Sequence, residues 1–461
     1  RGSIFSKIGV SSNVNYCNYL LMNVLNRNIN NIFLIFLFSH LIIWTIIPSL
    51  TNKNLPLDTI EALAWGSNLD WGFNKHPPMS AFFSEIFFQI FGSQDWAYYL
   101  LSQIFVLIAF YYVFKFASEI LENIKLALLS VFLLVSIYFY NFTTPEFNVN
   151  VCQLPFWSLV VYFSWKIYSS KEIKFSDCFL VGLFGALGFL SKYLFVYLLA
   201  SIFLLFFYLI FFQKRKKFDF KYLIIIEVFL VLLVPHFIWL YQNDFITILY
   251  GIKRTGLEES DIFNHIHYPI MFLIKQLGIL IPFFFLIFLL LKKIKFRLNL
   301  KDKKLFFLIT ITILPILLML LTSIITGSKV RTMWMTPFYL FFGVLFIYIF
   351  KLQINFKKIN TFLYSFLFLF FLSPALYSYV SISQTEKRTD YPGKEIANKT
   401  QKIWSQDFEK EIQFVTGDEW KAGNLSYHLK SRPVWEGFST DEILKKSSQF
   451  ICIDEICLGR Y

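Results

Sequence analysis

The chain has 461 residues, of which 56% are hydrophobic and only 16% charged, with a mean hydropathy of +0.56 and a formal net charge of +13. Soluble proteins carry about 25% charged and 45–50% apolar residues, and the apolar surplus here falls in blocks of about twenty residues, the length that crosses a bilayer as a helix. A soluble enzyme is therefore excluded in favour of a polytopic membrane protein. The surplus cations lie in loops between apolar blocks, so the charge reflects membrane topology and implies no nucleic-acid partner.

Residues 1–21 are weakly organised, and a natural start at Met22 is expected, leaving 1–21 as a disordered or non-native segment. The first apolar run is long and lacks a small-residue cleavage site, which argues against a signal peptide. Eleven apolar runs follow, at about 32–50, 98–118, 126–141, 150–168, 177–191, 193–212, 222–241, 268–291, 305–326, 333–350 and 359–379. Each predicts a span, with Ser191-Lys192-Tyr193 the only break between the fifth and sixth.

Alternate loops differ sharply in charge. One set holds twenty Lys and Arg, among them Lys166, Lys171, Lys174, Lys214–Lys217, Lys292, Lys293, Lys303, Lys304, Lys357 and Lys358. The other set holds seven: Lys53, Lys75, Lys192, Lys253, Arg254, Lys329 and Arg331. The positive-inside rule makes the first set cytoplasmic, with lysines that anchor by solvation. Outside fall loop 51–97, the segment around Glu146, the turn at Lys192, loop 242–267 and the segment 327–331. An odd number of spans puts the C-terminal segment outside as well.

Loop 51–97 is too polar and too rich in Pro and Gly to span. Asp58, Glu61 and Trp65 are spaced to share one face of a helix. Lys75-His76-Pro77-Pro78 follows a turn at Gly72, where the double proline holds the backbone extended and leads into a helix from Met79 to Phe91. Lys192 at the tip of an apolar hairpin, with Lys253, Arg254 and Arg331, adds isolated outer cations. Singly each is a solvated charge; with Lys75 and His76 they can bracket a phosphate-bearing lipid head group.

His265 and His267 near Glu258, Glu259 and Asp261 give a weak divalent-metal signal, so Mg or Mn stays open as a cofactor. No Walker A or dinucleotide fingerprint is present. Of five cysteines, Cys152 and Cys178 read as buried packing residues. Cys452 and Cys457 can pair only if the chain turns between them, since a straight strand separates them by roughly 16 Å. From about 381 the composition becomes that of a soluble domain, with strands at 413–417 and 449–453 and a helix at 422–429.

LDTIEALAWG, WGFNKHPPMSAFF and FGSQDWAYYLLS together resemble the first outer loop of the bacterial GT-C glycosyltransferases of family 39, which include protein O-mannosyltransferases and lipid A aminoarabinose transferases. The likeness continues through FNVNVCQLPFW, GALGFLSKY, PHFIWLYQNDF, Trp334 to Pro337 and GDEWKAGNLSYHL, and covers nearly all of the chain from Met22. The resemblance implies a polytopic α-helical membrane protein of GT-C type, with about 11 transmembrane helices and a small C-terminal α/β periplasmic domain. Residues 22–380 would be the transmembrane catalytic domain and 381–461 the periplasmic domain.

It further implies an inverting glycosyltransferase that moves an amino sugar or hexose from undecaprenyl phosphate. The acceptor would be lipid A or a related envelope glycolipid, at the periplasmic face of the bacterial inner membrane among its lipids. Asp58 or Glu61 carries the essential first-loop acid, and His76 stands for the motif cation that lies against the carrier phosphate. Lys75 occupies a position that is often acidic in relatives, so Glu146 is the substitute second carboxylate, and Asn150 stands where many relatives have Asp. A protein O-glycosyltransferase is the alternative within the class. A polyprenyl-lipid transporter or flippase is the alternative outside it; the chain lacks the paired, broken-helix halves that transporters show.

Overall fold

A computed structural model describes residues 5–461 except 215, 258–260, 297, 439–440 and 454, with the backbone alone for 5–27, 441, 442 and 444. The membrane part consists of α1 (Phe5–Thr51), α2 (Leu57–Asn68), α3 (Met79–Phe91), α4 (Asp95–Leu121), α5 (Ile124–Phe132), α6 (Val149–Cys152), α7 (Leu154–Ser169) and α8 (Phe175–Ser191). It continues through α9 (Val196–Phe207), α10 (Lys221–Gln242), α11 (Ile246–Thr255), α12 (Asn264–Leu290), α13 (Lys303–Thr312), α14 (Leu314–Thr326), α15 (Phe342–Phe350) and α16 (Ile359–Ser383). The last segment holds α17 (Gly393–Asp407), β1 (Phe414–Thr416), α18 (Lys421–His428), β2 (Val434–Trp435), α19 (Asp441–Lys446), β3 (Gln449–Ile453) and β4 (Ile456–Arg460).

All eleven apolar runs are helical, though not all are long straight spans. Among the described residues, seven helices have the length and composition to cross a membrane: Asn28–Thr51, Asp95–Leu121, Tyr193–Phe212, Lys221–Gln242, Asn264–Leu290, Lys303–Thr326 and Phe356–Ser383. An eighth is a pair, Thr332–Tyr339 and Phe342–Gln353, bent by 52°. The runs at 126–141, 150–168 and 177–191 fold as helices shorter than 18 residues. Pro155 opens α7 at its first turn, where the missing N–H costs nothing.

The lysine-rich loops are tied to one another, so they share one end of the bundle. Lys216 Nζ donates to the Ile167 carbonyl at 3.0 Å, Tyr168 Oη to the Lys303 carbonyl at 2.8 Å, Lys304 pairs with Glu122 at 2.6 Å, and Lys358 Nζ donates to the Leu291 carbonyl at 3.2 Å. These lysines do more than sit in water: several satisfy carbonyls that a helix end leaves unpaired.

At the other end, α2 and α3 lie under the C-terminal domain. A side chain at Gly66 would come within 2.8 Å of the Ala81 carbonyl, and one at Gly423 within 3.0 Å of Ala64 Cβ, so both glycines permit helices to touch backbone to backbone. Trp65, Phe73, Val415, Leu425 and Leu458 form one core across this interface. Arg432 donates to Glu85 Oε2 and to the Leu63 carbonyl, each at 2.7 Å, and lies over the Phe88 ring. The Tyr427 hydroxyl reaches Asp95 at 2.7 Å. The sheet has strand order β2-β1-β4-β3, with β1 parallel to β2 and antiparallel to β4. The turn between β3 and β4 sets Cys452 opposite Cys457, and they form a disulfide. Cys152 and Cys178 are free and buried, as expected.

Candidate active site

Loop 51–97, α11, the Lys192 turn, the 331–334 segment and the C-terminal domain enclose a cavity of about 660 Å³. Asp58, Glu61, Lys75, His76, Lys192, Arg254 and Arg331 all line it. Residues nearly three hundred positions apart in the chain thus meet in one place, and seven of the nine residues singled out as binding or catalytic by sequence line it. The remainder need separate treatment.

α2 positions the acids. Pro56 at its N-cap supplies an extended backbone, and one helical turn later Asp58 and Glu61 face the cavity on one side. Pro78 adopts helical rather than extended geometry and caps α3, so the double proline acts as a hinge into α3 as well as a brace for His76. Desolvation raises the Asp58 carboxyl above its usual range, against the pull of Lys192, Lys75 and Arg254. Burial also pushes Glu61 up to about 7, opposed by Lys75.

Lys75 departs from its expected role. Its ammonium lies 2.8 Å from Glu61 Oε1 and 3.3 Å from Glu419 Oε2, so it is occupied by two carboxylates and is not free for a carrier phosphate. Desolvation works to lower its pKa, but Glu61 and Glu419 outweigh it and the net shift is upward. His76 also departs from expectation. Burial, then Lys192, Lys75 and Arg254, drive it down to about 3, so the imidazole is neutral and offers a phosphate one N–H donor rather than a charge. Its ring stands edge-on to Trp65 and Tyr250.

Lys192 is buried, donates to Asn150 Oδ1 and lies over the Trp334 ring at 5.3 Å. Desolvation lowers it to about 7, with Asp58 pulling the other way. Asn150 therefore holds a cation in place. Arg254 and Arg331 have no carboxylate within ion-pair distance among the described residues. Burial and then Arg254 pull the Arg331 pKa down, and Arg331 Nε is buried without a partner. Two adjacent guanidiniums that repel each other are ready to accept an anion.

Glu146 stands behind Asp58 rather than in the cavity, where its Oε1 accepts the Asp58 backbone N–H at 3.1 Å. Desolvation, then Asp58, pushes it up to about 8. Lys253 is exposed and does not line the cavity, which corrects its assignment: on α11 it follows Ile252 and points away from the face that carries Tyr250 and Arg254. His265 contacts the Ile324 carbonyl at 2.8 Å; Glu258 and Glu259 lie outside the described residues. Among the described residues no three His, Cys, Asp or Glu converge as metal ligands.

Sequence reasoning missed Glu419, Asp418, Trp420, Tyr250 and Arg388, which also line the cavity. Asp418 and Glu419 sat in a quoted motif, but only the docking of the C-terminal domain shows that Glu419 reaches Asn74 at 2.7 Å and Lys75.

Residues 75–239 match the family described as Dolichyl-phosphate-mannose-protein mannosyltransferase. The whole architecture matches a crystal structure of ArnT from Cupriavidus metallidurans bound to undecaprenyl phosphate, with a TM-score of 0.61 at 12% identity over 90% of this chain and 87% of that one. The chain has the fold of that ArnT. The same ArnT in the apo state aligns with a TM-score of 0.59 at 12% identity, covering 89% of this chain and 86% of that chain. Comparison with curated protein sequences gives no significant match. The GT-C glycosyltransferase resemblance read from the sequence is borne out by the family match and the fold, and the chain is a multi-pass membrane protein.

Proposed function

We propose that this GT-C protein transfers a sugar, an amino sugar or a hexose, from undecaprenyl phosphate to lipid A or a related envelope glycolipid at the periplasmic face of the bacterial inner membrane. The observation that carries this reading is the meeting of Asp58 with Arg254 and Arg331 in one cavity. The ArnT structure of the same fold holds undecaprenyl phosphate, which supports a polyprenyl-phosphate donor.

The chemistry divides between the two groups. As the bond from the anomeric carbon to the phosphate oxygen breaks, negative charge grows on the departing carrier phosphate. Arg254, Arg331 and Lys192 are fixed where they can stabilise it, and His76 adds a neutral donor. The acceptor oxygen attacks the same carbon from the opposite face, inverting it. If the acceptor is a hydroxyl, its proton passes to Asp58; an ionised lipid phosphate needs no base, and Asp58 then only orients it. Lys75 holds Glu61 beside Asp58 and ties both to the C-terminal domain. No step requires a metal, although Mg or Mn could assist the phosphate.

The description of the family matched at 75–239 names proteins as acceptors, which supports protein O-glycosylation as the second reading. Mass spectrometry of lipid A and of envelope glycoproteins, from cells with and without the gene, separates the two. A sugar missing from lipid A supports the first. Unchanged lipid A with a lost glycoprotein signal supports the second.

A further inference from the structure

Behind Glu146 lies a second cavity of about 490 Å³, on the far side of the acid pair from the first. Lys275, Lys329 and Arg331 line it, with Tyr138 and Asn148. It shares Asn150, Arg331 and Met333 with the first cavity, so the two meet at the Asp58–Glu146 wall. Through Tyr138, Lys275 and Thr332 it continues into a groove of about 600 Å³ between α12 and α16. Gly278, Ile279, Pro282, Leu369, Leu372 and Leu376 make that groove apolar.

Lys275 is the informative residue. It sits eleven residues into the 27-residue α12, about 16 Å from its start, within a helix long and apolar enough to span. A cation within an apolar span is costly unless it meets an anion or water, and Lys275 stands where the apolar groove joins the outer segment at Lys329 and Arg331. Among the described residues neither Lys275 nor Lys329 nor Arg331 has a carboxylate within ion-pair distance. The one acid in the second cavity, Glu146, is raised to about 8 by desolvation and then by Asp58, and so is neutral at pH 7.

We propose that this groove and cavity bind the acceptor as a lipid: its acyl chains lie between α12 and α16, and its phosphate head group lies against Lys275 and Lys329. The groove between α12 and α16 is apolar while the cavity it joins carries three cations, a pairing that fits an amphiphile rather than a polypeptide. Donor and acceptor then approach the Asp58–Glu146 wall from opposite sides. Arg331, shared by both cavities, faces both phosphates. The proposal rests on the transferase reading for its purpose, but the binding site itself can be tested without any transfer.

The test is binding to the purified full-length protein in detergent, followed by native mass spectrometry. Three probes are compared: lipid A, dephosphorylated lipid A and undecaprenyl phosphate. Lys275→Ala should weaken lipid A binding about tenfold while leaving undecaprenyl phosphate unchanged, and dephosphorylated lipid A should bind the wild type about as weakly. Lys275→Arg should restore binding, which separates charge from folding. Equal binding of lipid A by wild type and Lys275→Ala overturns the proposal. Loss of undecaprenyl phosphate instead overturns it by assigning the groove to the carrier. Lys275-dependent lipid A binding without any transfer would sustain the site and sink the transferase reading.

Discussion

Glu146 Oε1 accepts the backbone N–H of Asp58 at 3.1 Å, which sets two acids from segments 88 residues apart back to back. Desolvation raises both carboxyls, and Asp58 raises Glu146 further, so the pair does not carry two full charges at neutral pH. This arrangement governs the stability of the site as well as its chemistry.

A carboxyl whose pKa is raised by folding stabilises the fold below its unfolded value and loses that contribution as pH rises through the folded value. For Glu146, with a folded value of about 8, the loss runs from about pH 4.5, where the unfolded carboxyl ionises, to about pH 8. Thermal unfolding of the detergent-solubilised protein should therefore show a falling Tm over that window. Glu146→Gln should flatten the fall between about pH 7 and pH 8 and make it shallower below, leaving the contribution of Glu61, which is lost between about pH 4.5 and 7. An unchanged slope in Glu146→Gln would show that Glu146 is not the titrating group.

Lys75 bridges Glu61 and Glu419 and so joins the first loop to the C-terminal domain. Lys75→Met leaves two carboxylates facing each other and should cost about 2 kcal/mol. It also removes the cation that opposes the upward shift of Glu61, so any acid limb of the pH–rate profile set by Glu61 should move to higher pH. Glu419→Gln removes an anion that raises Glu61 and should move the same limb to lower pH. Opposite displacements are the signature; parallel ones contradict the bridge.

Arg254 and Arg331 should act on the carrier phosphate and Lys253 should not. Arg254→Ala and Arg331→Ala are each expected to weaken undecaprenyl phosphate binding about tenfold. Lys253→Ala should leave it at the wild-type value, because that side chain is exposed and outside the cavity. Titrations with the purified proteins decide this at one ionic strength.

Arg432 is the clamp of the C-terminal domain. Its guanidinium meets Glu85 and the Leu63 carbonyl together, so Arg432→Met strands a buried carboxylate and should cost about 3–5 kcal/mol. Lysine cannot reproduce the fork and should recover little. Limited proteolysis near 384–390 should then release the domain faster than in the wild type.

Much of this was legible in the chain. Twenty-residue apolar blocks and the Lys asymmetry gave the bundle, because hydrocarbon leaves a helix few alternatives. Asp58, Glu61 and His76 were legible because a polar loop between two spans stands out. Three things were hidden. Lys75 reads as a free cation until Glu419 arrives from 344 residues downstream. Lys253 and Arg254 look alike in a line of text, yet adjacent residues on a helix point in different directions. Lys275 disappears inside an apolar run whose average hydropathy it barely changes. The runs at 126–141 and 150–168 are broken at Leu133 and Gln153, which apolar length alone does not reveal.

The central claim is that the outer cavity transfers a sugar from a polyprenyl phosphate with Asp58 at the reacting centre. The direct measurement is transfer by the purified full-length protein, given an undecaprenyl-phosphate sugar and lipid A, with product detected by mass spectrometry. Wild type should add the sugar mass to lipid A, while Asp58→Asn, folded and still able to bind undecaprenyl phosphate, should be slower by a hundredfold or more, on the order expected for loss of a positioned acid–base group. Transfer by Asp58→Asn at the wild-type rate would contradict the account.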